Sequence, residues 1–137
     1  MIITQKYINE ISYEIVGGAI EAHKHVGPGL LESVYHSCLA EELESSGLIV
    51  ESQVKVPVSY KGKDIGGLLR LDMLVNNLVV VELKAVDVMI SLYKAQLLSY
   101  LKLAGMPKGL LINFHCENIT KHLVPLVTED FALLPKD

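Results

Sequence analysis

Cysteine is scarce in this sequence, and long apolar runs are missing. Cys38 and Cys116 stand alone, without the spacing of a metal or redox pair. They read as small packing residues in a reduced, cytoplasmic setting. The longest purely apolar runs, such as Leu78 to Val81, fall far short of the roughly 18 residues of a membrane span. The opening MIITQKYINE turns polar within ten residues and lacks a signal peptide's apolar core. There is no Gly-rich phosphate loop, CxxC pair, nucleophile elbow, repeat or low-complexity tract. No excess of basic residues is present either: the formal net charge is −4, which argues against a nonspecific nucleic-acid coat protein. A nuclease remains compatible, because acidic metal ligands lower net charge while a local basic patch holds phosphates.

What is present suits one globular domain. Half of the 137 residues are apolar and a fifth are charged. That length buries a core without staples. The apolar content is compatible with a homo-oligomer as well as with a dense core.

Ile8, Ile11, Ile15, Ala19, Ala22 and Val26 recur at helical steps. Gly17 and Gly18 interrupt them, each at about 1 kcal/mol against alanine, and close packing is their expected reason. Gly27-Pro28-Gly29 turns the chain. A second helix is expected from about Leu30, with Leu31, Val34, Cys38 (or Leu39) and Leu43 as its apolar stripe, ending at Ser45-Ser46-Gly47. Strands are expected at Leu48–Tyr60, Leu68–Val75 and Leu78–Val86, with turns at Lys61–Asp64 and Asn76-Asn77. LVVVEL is apolar on both faces and reads as a central, covered strand. A helix over Ile90–Ala104, a buried strand over Gly109–Phe114 and a short edge strand within Lys121–Val127 complete the order. The expected class is α/β, a mixed sheet flanked by helices.

Charges interrupt the central strands. Glu82 and Lys84 are two apart and share one strand face. Asp72 lies ten residues before Glu82, across a short turn. Two carboxylates suit a hard cation such as Mg²⁺, and a neighbouring lysine holds water or offsets charge on a phosphate. A solvated strand edge explains the same spacing, but a central strand is a costly place for an unpaired charge. The metal reading sets a geometric condition. A two-residue turn at Asn76-Asn77 pairs Val75 with Leu78 and puts Asp72 opposite Val81, facing away from Glu82. The site therefore requires an irregularity: a three-residue loop, Asn76-Asn77-Leu78, or a bulge.

An aspartate at the end of one strand with Glu-x-Lys on the next resembles the signature of the PD-(D/E)XK nuclease superfamily. GLLESVY, with Gly29, Glu32 and Tyr35, fits the pattern that names the GxxExxY proteins. QLLSY, with Gln96 and Tyr100, resembles the Gln-x-x-x-Tyr motif of recombination-type exonucleases in the same superfamily. The likeness covers roughly Ile15 to Phe114; Leu71 stands where the superfamily often has proline. It implies a restriction-endonuclease-like core, and a nuclease dependent on Mg²⁺ or Mn²⁺ with nucleic acid as partner and no membrane. In that reading Asp72 and Glu82 bind the metal, the Leu83 carbonyl adds an oxygen, and Lys84 positions water. Glu32 binds the metal directly or through water, while Gln96 and Tyr100 border the site. A nuclease-like fold used as a binding or assembly module is the second reading.

Each peripheral residue has a structural explanation as well. Glu32 in a first helical turn gains about 0.3–1 kcal/mol from the helix dipole. Tyr35 either orients Glu32 or packs. Gln96 and Tyr100 share one helix face and can simply bond each other. Arg70 and Lys94 suit phosphates or open solvent. His23 and His25 diverge by about 200° on a helix, so they do not chelate, and all five histidines read as structural or surface groups.

Overall fold

The computed structural model describes residues 2–137. Helix α1 (Gln5–Val26) begins where the Thr4 hydroxyl accepts the Tyr7 N–H at 3.1 Å. Ile8, Ile11, Ile15, Ala19 and Ala22 are buried along it, as their spacing predicts. A Cβ on Gly18 would stand 2.8 Å from Leu43 Cδ2, so this glycine marks the close approach of α1 to α2. Gly17 has nothing within 4 Å, and packing does not explain it.

Helix α2 (Glu32–Ser45) starts two residues later than expected, and its inward face differs. Tyr35, Leu39 and Leu43 are buried, whereas Leu31 and Val34 are exposed. The cause is hydrogen bonding. The Tyr35 hydroxyl donates to the Gly27 carbonyl at 2.6 Å and accepts the Leu30 N–H at 3.0 Å. Its ring stacks on Phe114 at 4.7 Å. The phenol thus satisfies backbone groups of the Gly-Pro-Gly turn and takes the inward position that hydropathy assigns to Val34.

The sheet holds β1 (Val50–Tyr60), β2 (Lys63–Val75), β3 (Val79–Lys84), β4 (Lys108–Asn113) and β5 (Leu123–Val127), in that spatial order. Only β3 and β4 run parallel, joined through α3 (Ser91–Ala104); the other pairs are antiparallel. β3 is the central strand, and Val79, Val80 and Val81 have no exposed surface. On one face α1 and α2 cover Met73, Val75, Val79, Val81, Leu110 and Ile112. On the other, Leu97 and Leu101 of α3 cover Leu74, Val80 and Leu111. A 3-10 turn (Ile119–His122) precedes β5, and a four-residue helix, α4 (Glu129–Ala132), follows it. No helix among the described residues is long and apolar enough to cross a membrane.

β2 begins at Lys63, five residues before the expected Leu68. Its outer half pairs with β1 alone, because β3 meets only Met73, Leu74 and Val75. Beyond Asp72, β1 and β2 therefore continue as a two-stranded ribbon.

Candidate metal centre

The irregularity that the metal reading requires at the β2–β3 turn is present. Asn76 and Asn77 take φ of +50° and +55°, the left-handed region that a tight turn uses and that asparagine tolerates. The turn closes with the Leu78 N–H on the Val75 carbonyl at 3.0 Å, yet the strands pair Val75 with Val79. Leu78 is the extra residue. The Asn76 carboxamide anchors the turn by accepting the Ile49 N–H at 2.8 Å. The register continues through Leu74↔Val80 and Met73↔Val81, which brings Asp72 opposite Glu82.

There the backbone ladder stops and side chains replace it. The Asp72 N–H donates to Glu82 Oε1 at 3.1 Å, and the Leu83 N–H donates to Asp72 Oδ2 at 3.0 Å. Across the sheet, Gln53 has φ +55° and is left out of the β1–β2 pairing, between Ser52↔Met73 and Val54↔Leu71. A non-glycine residue in that region costs on the order of 1 kcal/mol or more, and such kinks gather at functional sites. Facing changes here on both strands. Val50, Met73 and Val75 pack toward α1 and α2, whereas Val54, Val56 and Leu71 pack toward α3. Pairing of β2 with β3 ends at Met73↔Val81, which leaves a notch between the two strands.

A cleft of about 260 Å³ occupies this notch, and Glu32, Asp72, Glu82, Lys84, Gln96 and Tyr100 all line it. Arg70 lines it too; Lys94 is exposed elsewhere on α3. Leu83 belongs to an adjoining cleft of about 350 Å³ that shares Glu32, Arg70 and Asp72 with the first. A larger concavity, about 840 Å³ between α1 and the C-terminal tail, contains none of these groups.

Electrostatics follow from the crowding. Glu82 is only 7 % exposed. Burial, then the neighbouring Asp72 charge, pushes its pKa up to about 8, and Lys84 opposes the rise. The Lys84 ammonium lies over the Tyr93 ring, 4.5 Å from its centre. It forms no ion pair with either carboxylate; the contacts between basic and acidic side chains among the described residues join histidines to carboxylates, His25 to Glu21 at 3.3 Å and His115 to Asp87 at 2.9 Å. Glu32 enters from the first turn of α2, at the rim. Partial burial and then Asp72 raise its pKa, against Lys84, His36 and Arg70. Gly29, at φ +92°, and the two Tyr35 hydrogen bonds shape the turn that delivers Glu32. On α3 the Gln96 amide donates to the Tyr100 hydroxyl at 3.2 Å, so these two bond each other and also face the cleft.

Among the described residues no three His, Cys, Asp or Glu side chains stand together at metal-cage spacing. The two carboxylates fit Mg²⁺ nonetheless. This ion commonly takes one or two protein carboxylates and completes its shell with waters and substrate phosphates. Asp72 and Glu82 each give one oxygen to a backbone N–H and keep a second. None of the five histidines lines the carboxylate cleft. His23 bonds the Cys116 carbonyl at 2.7 Å, and His36, in the adjoining cleft, bonds Ser52 at 3.0 Å.

Three supporting residues escape sequence reasoning. Tyr93 seats Lys84, Gln53 makes the kink, and buried Asn113 ties the chain beyond Lys84 to β4. The Asn113 side-chain oxygen accepts the Val86 and His115 N–H groups, both at 3.1 Å, and its amide donates to the Val86 carbonyl at 2.9 Å. An asparagine closing the apolar run GLLIN was the one visible signal.

No curated protein and no solved structure matches the chain. The family model of the PD-(D/E)XK nuclease superfamily matches residues 9–124, which takes in β1 to β4 and every residue of the carboxylate cleft. By that match, and with a mixed five-stranded sheet flanked by helices, the chain belongs to the PD-(D/E)XK nuclease superfamily.

Proposed function

We propose that the protein is a Mg²⁺-dependent phosphodiesterase acting on nucleic acid, with Mn²⁺ as a competent substitute. One observation carries this reading: Leu78 sets a register in which Asp72 and Glu82 face each other beside Lys84. Asp72 and Glu82 would hold the ion, with the Leu83 carbonyl as a further oxygen. Bound there, the ion supplies a Lewis acid and lowers the pKa of its water. Lys84 orients the attacking water and offsets charge growing on the phosphate. Glu32 would help to hold the ion, directly or through water. Gln96 and Tyr100 present an amide and a hydroxyl to substrate oxygens across the cleft. Gly29, Glu32 and Tyr35 support assignment to the GxxExxY group, since the turn they build delivers Glu32. The two free cysteines suit a reducing, cytoplasmic setting.

A second reading, a nuclease fold serving as a binding or assembly module, draws on the raised pKa of buried Glu82, which favours a protonated, metal-free pair near neutral pH. The test is to incubate the protein with single- and double-stranded DNA and RNA and Mg²⁺ or Mn²⁺, beside Asp72→Ala and Lys84→Ala. Cleavage lost in both variants supports the enzyme. Metal-independent binding with no cleavage supports the module, and cleavage unchanged in both variants refutes this site.

A further inference from the structure

The chain is acidic overall, but its charge is unevenly placed. Between Val54 and Arg70 lie four of the twelve basic residues (Lys55, Lys61, Lys63 and Arg70) and one of the sixteen acidic ones, Asp64. That segment carries net +3, so a chain of net −4 leaves −7 on the rest. The segment is the outer part of the β1–β2 ribbon. All four cations are exposed, and none takes part in an ion pair among the described residues. The one acid is engaged locally, accepting the Gly66 N–H at 2.8 Å.

The cations have an ordered arrangement. Lys55 and Arg70 are cross-strand partners, exposed on the side opposite Val54, Val56 and Leu71, which pack toward α3. Lys61 and Lys63 flank the tip, with Lys61 over the Tyr60 ring at 5.5 Å. From the Lys55–Arg70 pair to the Tyr60–Lys63 pair is five residues along β1, roughly 17 Å at about 3.4 Å per residue. The ribbon's base forms a wall of the carboxylate cleft through Leu68, Leu69 and Arg70. A groove-bound polymer with regularly spaced negative charge would thus reach the cleft at that wall.

Physical dimensions select the polymer. The B-DNA major groove, about 12 Å wide, admits a two-stranded β-ribbon. The A-form RNA major groove is deep and narrow and does not. Roughly 17 Å is about half a helical turn of B-DNA. Pro57 and Lys55 on the β1 edge, and the register shift between Pro57 and Ser59, disfavour strand addition by a second copy. We propose that the β1–β2 ribbon is a duplex-DNA arm, lying in the major groove with its cations on phosphates and leading a phosphodiester to the cleft at its base. This rests on reading that cleft as a phosphodiesterase centre.

The test uses the full chain in EDTA and a fluorescent duplex of about 20 base pairs, roughly two turns. Binding is followed by anisotropy over a range of salt, beside duplex RNA and single-stranded DNA of the same sequence. The parent is expected to bind duplex DNA tightest. Lys55→Gln, Lys61→Gln and Lys63→Gln together are expected to weaken it on the order of tenfold or more and to reduce the log–log salt slope by roughly 3. Lys102→Gln, Lys121→Gln and Lys136→Gln together control for net charge and are expected to leave the slope nearly unchanged. An unchanged slope in the ribbon variant, an equal loss in the control, or tighter binding of RNA or single strands overturns the proposal. Ribbon-dependent duplex binding without cleavage under any metal keeps the arm and refutes the phosphodiesterase. Metal-dependent cleavage with binding indifferent to the ribbon lysines does the reverse.

Discussion

Asp72 and Glu82 face each other across β2 and β3 and bond each other's strand: the Asp72 N–H reaches the Glu82 carboxylate at 3.1 Å, and the Asp72 carboxylate accepts the Leu83 N–H at 3.0 Å. Two carboxyl groups, one of them buried on the central strand, thus stand in for the missing ladder bonds, at the point where the strands part.

The metal-free pair is expected to make stability depend on pH. Glu82 is raised from 4.5 to about 8 in the fold, so between those values the folded state holds a proton that the unfolded chain releases. Its contribution is complete below about 4.5, declines as pH rises, and is gone above about 8. Urea denaturation in EDTA should show stability falling from pH 5 to 8, with a shallower fall in Glu82→Gln. Equal slopes in the two proteins would contradict this origin.

Lys84→Met is expected to keep the fold, because the side chain is only half-buried and its ammonium rests on Tyr93. Cleavage should drop about 10²-fold or more, the typical loss when a group stabilising transition-state charge is removed. Steady-state cleavage and a melting curve measured together separate the two effects.

Tyr35→Phe removes a hydroxyl that both donates to Gly27 and accepts from Leu30. Leaving those groups unpaired should cost about 1–3 kcal/mol of unfolding free energy. Glu32→Gln should leave stability nearly unchanged and raise the metal concentration needed for half-maximal cleavage. Denaturant titration and a Mg²⁺ dependence of rate measure the two.

Gly17 and Gly18 should respond differently to alanine. Gly17→Ala meets open space and should stabilise α1 by up to about 1 kcal/mol. At Gly18 the new methyl would come 2.8 Å from the buried Leu43 side chain, and overpacking of about 1–3 kcal/mol offsets the helical gain. Thermal melts should rank Gly17→Ala above Gly18→Ala.

Much of this arrangement was legible in the sequence, for physical reasons. LVVVEL announced a strand covered on both faces, and a strand of that kind with charges in it pointed to a site. The metal reading requires Asp72 to face Glu82, which a simple two-residue register does not allow, and Leu78 supplies the extra residue. Other features left no hydropathic trace. Tyr35 turns inward because of hydrogen bonds to a turn, which displaced the expected stripe of α2. Lys63–Gly67 joins β2 through pairing with β1, without apolar alternation of its own. Tyr93, Gln53 and Asn113 act through ring position, backbone angle and amide geometry, none of which a spacing rule encodes. The short α4 adjoins a tail held by Gln5, whose amide donates to the Phe131 and Leu134 carbonyls at 3.1 and 3.2 Å, a contact far apart in sequence.

The most direct test is a Mn²⁺ titration of the full chain at pH 8, followed by electron paramagnetic resonance of the free ion. The account predicts that the parent takes Mn²⁺ out of solution, that Mg²⁺ competes for the same site, and that Asp72→Ala and Glu82→Ala each abolish the uptake. Uptake by both variants equal to the parent's, or none by a folded parent at millimolar metal with duplex DNA present, would contradict a metal centre at Asp72 and Glu82.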